Sequence, residues 1–133
     1  MNLKTWGWVF AVVFLAIGIL GFIPGITTAD GMLLGLFMVD GVHNVVHLLT
    51  GLVALIVVMK SESAMRMFFK VFGIIYAVVV VIGFVQGDTV FGLFGVNLWD
   101  NILHLVVAVV ALWLGFWNKK AAMSSSVPMG GGM

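Results

Sequence analysis

Four long apolar runs alternate with short stretches that hold most of the polar side chains. The runs cover residues 6–23, 41–59, 67–85 and 98–117. Each is close to the roughly 20 residues that a helix needs to cross the hydrocarbon of a bilayer. The apolar stretches within the first and last connections are too short to cross and are expected to lie at the membrane surface. The pattern predicts an all-α membrane protein with four transmembrane helices in one domain, residues 1–120.

The second and fourth runs begin with two versions of one phrase. His43-Asn44-Val45-Val46-His47-Leu48 recurs 57 residues later as Asp100-Asn101-Ile102-Leu103-His104-Leu105, and Gly35-Leu36-Phe37 recurs at the same spacing as Gly92-Leu93-Phe94. Each half of the chain is therefore a helical hairpin. Because both hairpins have the same orientation in the membrane, we expect a pseudo-twofold axis along the membrane normal.

Local signals predict where the second and fourth helices begin and how they pack. Asp40 and Asn97 are suited to cap them, since a side-chain oxygen there accepts from free amides of the first turn, with Asp100 completing an approximate capping box. One face of each helix combines polar and small residues: His43, His47, Thr50, Gly51 and Ala54; Asp100, His104, Ala108, Ala111 and Gly115. Small residues mark close helix contacts in lipid. We therefore expect these two helices to meet at the centre, with the first and third outside.

The positions of the basic residues predict an orientation. Five lie at the N-terminus, between the second and third runs, or after the fourth: Lys4, Lys60, Arg66, Lys119 and Lys120. The sixth, Lys70, lies near the start of the third run, at the end expected to face the cytoplasm. Connections rich in Lys and Arg stay in the cytoplasm. Both termini are therefore expected in the cytoplasm, in a multi-pass protein of the inner (plasma) membrane. Residues 121–133 have the composition of a flexible cytoplasmic tail.

Composition supports the membrane assignment and narrows the chemistry. The chain is 63% hydrophobic and 8% charged, whereas soluble domains are about 25% charged. It has no cysteine, which excludes disulfides, thiolate metal sites and cysteine nucleophiles. A net charge of +1 does not indicate the basic surface that binding to nucleic acid requires. The run Ser124 to Ser126 lies across the membrane from every histidine, so no catalytic triad can form and we expect a protein without enzymatic activity.

The repeated phrases supply the candidate chemistry. His43, His47, Asp100 and His104 lie at the same ends of two helices predicted to face each other, and residues four apart share a helix face. Three imidazoles and a carboxylate suit a divalent transition metal. His47 and His104 could instead hold haem or chlorophyll. A further interpretation is a clamp of hydrogen bonds between the helices, joined by the neighbouring asparagines Asn44 and Asn101.

Several short stretches together resemble a known family. They are Gly-Phe-Ile-Pro-Gly at 21–25, Leu-Leu-Gly-Leu-Phe at 33–37, and the two motifs at 43–48 and 100–105. This combination is similar to a widespread bacterial family of four-span membrane proteins, catalogued only as a domain of unknown function. The resemblance covers about residues 6–117. It implies four spans and implies that the motif residues are His43, Asn44, His47, Asp100, Asn101 and His104, but it implies no activity.

Three functions remain open at the level of sequence. The first is a non-enzymatic scaffold or accessory subunit in the lipid bilayer, either as a homo-oligomer or with other membrane protein subunits. The second is a metal-, haem- or chlorophyll-binding protein. The third is an oligomeric transporter or channel, which is disfavoured because four spans with polar residues at one end leave no continuous polar path.

Overall fold

The computed structural model describes residues 2–118 as four long helices and two short β-hairpins. The helices are α1 (Leu3–Leu20), α2 (Gly41–Val58), α3 (Glu62–Gln86) and α4 (Leu98–Leu112), and a π-helical turn (Trp113–Trp117) continues α4. The strands are β1 (Met32–Leu33), β2 (Phe37–Met38), β3 (Thr89–Val90) and β4 (Phe94–Gly95). The predicted all-α fold with four spans is confirmed. The predicted tail, residues 121–133, lies outside the described residues.

The outward faces of the helices are apolar. Val12, Ile56, Val81 and Val109 are each more than half exposed, and all four helical segments are long and apolar enough to cross a membrane. Apolar surface on this scale indicates a membrane environment rather than water. The four helices are those of a multi-pass membrane protein.

Side-chain caps determine where the helices begin. Asp40 accepts a hydrogen bond from the His43 amide (2.8 Å), and Asn97 and Asp100 form the predicted capping box. Ser61 caps α3 by accepting from the Ala64 amide at 3.0 Å. As a result, α3 begins at Glu62, five residues before the predicted span, and only residues 59–61 connect it to α2.

The apolar stretches of the two outer connections form antiparallel hairpins that the hydrophobic pattern did not predict. The pairs are Met32↔Met38 and Leu33↔Phe37 in one, and Thr89↔Gly95 and Val90↔Phe94 in the other. Each hairpin turns through a left-handed pair of residues, Leu34-Gly35 or Phe91-Gly92. These pairs and turns match at a spacing of 57 residues, so the sequence repeat is also a repeat of local structure. The twofold axis itself stays a prediction.

The predicted packing of the helices is wrong in two respects. The small residues of α2 and α4 do not face each other, because they pack against the neighbouring helix within each half. A Cβ on Gly51 would lie 2.7 Å from the backbone nitrogen of Leu15 in α1, and one on Gly115 would lie 2.7 Å from that of Lys70 in α3. The small faces therefore hold α1 to α2 and α3 to α4.

The core between the two halves is aromatic. Phe10 and Phe14 of α1 meet Phe69 and Phe72 of α3, with the Phe10 and Phe69 ring centroids 4.9 Å apart. All four rings are buried. The helices α1 and α3 consequently reach the centre of the bundle instead of lying outside it.

Candidate metal centre

Three histidines from two helices converge near the end of the bundle that carries the β-hairpins. His43 and His47 lie in the first two turns of α2, and His104 lies in the second turn of α4. Their ring centroids are 4.4 Å (His43–His47), 5.7 Å (His43–His104) and 6.3 Å (His47–His104) apart. One nitrogen from each ring lies within 4.8 Å of the other two. This is the convergence that the repeated phrases predicted.

The rings lie beside a small cavity of about 160 Å³. Its lining includes the three imidazoles, Thr50 and Tyr76, and the remaining lining residues are apolar: Val46, Phe72, Ile75, Val79 and Phe94. Phe94 of β4 covers His43 with 4.8 Å between ring centroids, and Tyr76 meets His104 edge-on at 5.4 Å. The second hairpin therefore covers part of the cavity at the end of the bundle that carries the hairpins.

The imidazoles are buried, and several of their nitrogens have no hydrogen-bond partner within the described residues. None of the three is more than 4% exposed. Within residues 2–118, Nδ1 of each ring and Nε2 of His43 have no hydrogen-bond partner. The carbonyl groups of Met38 and Gly95 approach the His43 ring. Leaving a buried polar atom unpaired costs about 1–3 kcal/mol, so a ligand that bonds to these nitrogens would stabilise the site.

The structure does not bring Asp100 into this group. Its carboxylate is directed to backbone amides, because Oδ2 accepts from Met38 (3.0 Å) and from Asn97 (2.9 Å). The first of these bonds crosses from α4 to β2 in the other half of the chain. Of the four predicted ligands, the structure groups His43, His47 and His104 and directs the Oδ2 atom of Asp100 to the backbone.

A matching bond joins the halves in the opposite direction. Asp40, the cap of α2, uses Oδ2 to accept from the Gly95 amide of β4 at 2.7 Å. Asn97 adds a bond from its side-chain amide to the Leu36 carbonyl at 2.8 Å. Each of these helix starts is thus held to the hairpin of the other half. These bonds bring the ends of α2 and α4 close enough for the histidines to converge.

Sequence reasoning missed these bonds between halves. The sequence offers one weak signal for these bonds. The two donors, Met38 and Gly95, occupy matching positions of the repeat, whereas the two acceptors, Asp40 and Asp100, do not. The predicted interhelical clamp also takes a different form. Asn44 and Asn101 pack against Gly21 and Gly83 of the neighbouring helices, where a Cβ would overlap the asparagine side chains.

The chemistry of the three imidazoles suits a metal ion better than a large ring cofactor. In a tetrahedral site with metal–nitrogen bonds of about 2.0–2.1 Å, ligand atoms lie about 3.3 Å apart. The histidine nitrogens, within 4.8 Å of one another, would need to draw together by an ångström or so. Drug-sized ligands occupy pockets of about 300–1,000 Å³, so a cavity of about 160 Å³ is too small for haem or chlorophyll.

Comparison with known proteins identifies a family but no activity. Neither the curated proteins nor the solved structures contain a match to this chain. A family model matches residues 4–117, which include nearly all of the four helices, and confirms the resemblance found from the motifs. The chain therefore belongs to the family described as Domain of unknown function (DUF4383).

Proposed function

We propose that this is a non-enzymatic membrane protein that binds one divalent transition-metal ion through His43, His47 and His104. The observation that supports it is the convergence of three buried imidazoles, each of which has an Nδ1 atom without a hydrogen-bond partner within the described residues. Neutral imidazole is the commonest protein ligand for such ions. An ion bound here would satisfy one nitrogen of each ring at once.

The ligand set favours particular ions and leaves one coordination position open. Imidazole nitrogen suits zinc, copper, nickel and iron. Three protein ligands plus one open position is the arrangement of catalytic rather than closed structural zinc sites. Here, however, no carboxylate lines the described cavity to serve as a general base. The carboxylates of Asp40 and Asp100 are engaged with backbone amides, which supports binding without catalysis.

The distribution of basic residues supports an orientation for this site. The hairpin end carries no Lys or Arg in its two connections, whereas Lys60 and Arg66 lie near the opposite end. By the positive-inside rule, the metal centre would lie near the non-cytoplasmic surface of the inner membrane, with both termini in the cytoplasm. Cysteine labelling from either side of intact cells, at introduced positions in the α2–α3 turn and in the β1–β2 hairpin, tests this orientation.

Cobalt binding to the purified protein tests the proposed function directly. Co²⁺ bound to three nitrogens absorbs visible light, and elemental analysis gives the stoichiometry. We expect one equivalent in the wild-type protein, its loss in His104→Ala, and its retention in the matched buried variant Asp100→Asn. A folded wild-type protein that retains no Co²⁺, Zn²⁺, Ni²⁺ or Cu²⁺ after desalting would overturn the proposal.

A second candidate is a scaffold or accessory role in a larger membrane complex. The observation favouring it is that α4 and its continuation expose a set of large aromatic side chains: Trp99, Trp113, Phe116 and Trp117. Tryptophan and phenylalanine are enriched at protein interfaces as well as at membrane surfaces. Purification in a mild detergent followed by sizing tests it. A homo-oligomer or co-purifying membrane subunits support this role, whereas a lone monomer contradicts it.

A further inference from the structure

Both hairpins turn at a large apolar residue whose backbone conformation such residues rarely adopt. Leu34 and Phe91 have φ angles of 56° and 54°. The next residues, Gly35 and Gly92, also have positive φ, as in a type I′ turn. Asparagine and aspartate usually precede glycine in this turn, because they tolerate the left-handed region better than other residues with side chains. The same unfavourable choice in both halves of the repeat indicates a role for these side chains that asparagine could not fill.

The two side chains do not contribute to the core of the protein. Leu34 is 69% exposed and Phe91 is 60% exposed, and Leu93 on the far side of the second turn is 66% exposed. The residues that precede them, Leu33 and Val90, are buried. Each hairpin is therefore held to the bundle by its first strand and presents apolar side chains outward at its turn.

The hairpins lie close to the edge of the hydrocarbon layer. Helix α2 has 18 residues, which is about 27 Å at 1.5 Å per residue, whereas the hydrocarbon is about 30 Å thick. The strands β2 and β4 end three residues before α2 and α4 begin. Val42, Leu98 and Trp99, in the first turns of these helices, are each half exposed or more, and tryptophan is typical of the membrane interface. The lipid-facing surface of the helices therefore continues to the hairpins.

The hairpin segments carry no charge that would keep their turns in water. Residues 31–39 and 89–99 contain no Asp, Glu, Lys or Arg. Acidic residues occur only just outside these segments: Asp30, Asp40, Asp88 and Asp100. Exposure of Leu34 and Phe91 to water would add the cost of hydrating apolar surface to that of the left-handed backbone. In lipid the first cost is absent.

We propose that Leu34 and Phe91 are membrane anchors, whose side chains insert into the lipid leaflet at the hairpin end of the bundle, where headgroups meet acyl chains. The partner is the phospholipid of the surrounding membrane. Transfer of the two side chains from water to lipid offsets the left-handed turns, which asparagine could not do. The second anchor also steadies Phe94, whose ring lies 4.8 Å from that of His43. The proposal does not depend on a metal ion.

Spin labelling tests the insertion, and single-cysteine variants are clean because the chain has no cysteine of its own. Leu34→Cys and Phe91→Cys carry a nitroxide label in phosphatidylcholine bilayers. Power saturation measures collisions of the label with oxygen, which concentrates in hydrocarbon, and with a neutral nickel chelate, which stays in water. Val109→Cys, at an exposed position within the fourth span, is the lipid control, and Ala29→Cys, at an exposed position of the first connection, is the water control.

The two collision partners separate lipid from the alternatives. We expect labels at 34 and 91 to meet nickel about fivefold less often than the label at 29, since polar solutes are excluded from hydrocarbon, and to meet oxygen nearly as often as the label at 109. Frequent collisions with nickel would show that the turns project into water and would overturn the proposal. Rare collisions with both reagents would show a protein cover, which dipolar broadening would identify as a second copy, and would overturn it equally.

Asparagine substitution gives a second test that needs no label. The amides of Leu36 and Leu93 donate across the turns to the Leu33 and Val90 carbonyls, at 3.0 Å each. In a Leu34→Asn/Phe91→Asn protein, turn preference alone predicts slower hydrogen exchange of these amides, because asparagine favours the left-handed conformation. Loss of the anchors predicts faster exchange. We expect faster exchange in phosphatidylcholine nanodiscs, and unchanged or slower exchange would contradict the proposal.

Discussion

Removal of the Asp100 carboxylate should destabilise the bundle more than removal of any other acidic side chain of the described residues. Asp100 is 2% exposed, and its Oδ2 accepts from the amides of Met38 and Asn97. A hydrogen bond to a charged group contributes about 1.5–3 kcal/mol net, so Asp100→Ala should lower the free energy of unfolding by about 3–6 kcal/mol. Folded proteins are stable by only about 5–15 kcal/mol, which makes this a large loss.

The geometry of the Asp100 and Asp40 carboxylates predicts that replacing each by asparagine will lower the stability by different amounts. Both bonds to Asp100 reach one oxygen, so the amide oxygen of Asp100→Asn can keep them. Neutral bonds contribute about 0.5–1.5 kcal/mol each, so Asp100→Asn should lower the free energy of unfolding by about 2 kcal/mol.

Asp40 uses Oδ1 to accept from the His43 amide and Oδ2 to accept from the Gly95 amide. Asp40→Asn therefore keeps the cap, for which Asn and Asp are equivalent, but loses the bond to Gly95. Because Asp40 is exposed, water can replace its side chain as the acceptor for the Gly95 amide. Asp40→Asn should therefore lower the free energy of unfolding by about 1 kcal/mol.

Unfolding by sodium dodecyl sulfate in mixed micelles, followed by the fluorescence of the five tryptophans, measures these differences. The expected order of destabilisation is Asp100→Ala, then Asp100→Asn, then Asp40→Asn. An Asp100→Ala protein within about 1 kcal/mol of wild type would refute the reasoning, since two buried bonds would then contribute nothing. An Asp100→Asn protein as unstable as Asp100→Ala would also refute it, since the amide oxygen would then not keep the two bonds.

Three further predictions follow from single contacts. Gly115→Ala should lower the free energy of unfolding by about 1–3 kcal/mol, because the added methyl group meets the Lys70 backbone. The control Gly41→Ala, whose methyl group meets no atom within 4 Å, should stay within about 0.5 kcal/mol of wild type in the same titration. Arg66→Met should speed hydrogen exchange in the last turn, because Arg66 donates to the Leu114 and Asn118 carbonyls (3.1 and 2.6 Å); unchanged exchange there would contradict this. Asp100→Asn should retain bound Co²⁺ that His104→Ala loses, and equal loss in both would restore Asp100 as a ligand.

Much of the candidate site follows from local signals. Asp40 and Asn97 cap their helices with side-chain atoms three residues away, and this short-range geometry can be read directly from the chain. The same is true of His43 and His47, whose spacing of four places them on one helix face. The approach of His104 was expected only because the repeat places it in an equivalent helix.

The hairpins show where local signals fail. A strand of two residues is too short to display alternation, so Met32-Leu33 and Thr89-Val90 read as apolar surface segments. Their pairing depends on left-handed turns and on bonds to Asp40 and Asp100 from residues 55 and 62 positions away. Neither kind of partner is visible in a window of neighbouring residues.

The amino-acid sequence by itself determined the four spans, the caps of α2 and α4, the internal repeat and the identity of the polar residues, because run length, charge and capping act over one or two helical turns. Only the tertiary structure decided which helices pack together and which polar groups remain unpaired. The small face of α2 could equally have met α4 or α1, and close contact with Leu15 through Gly51 selected α1. Asp100 had two possible roles, and the hydrogen bond from the Met38 amide, 62 residues away in the chain, made it a clamp between the halves and left it outside the group of three histidines.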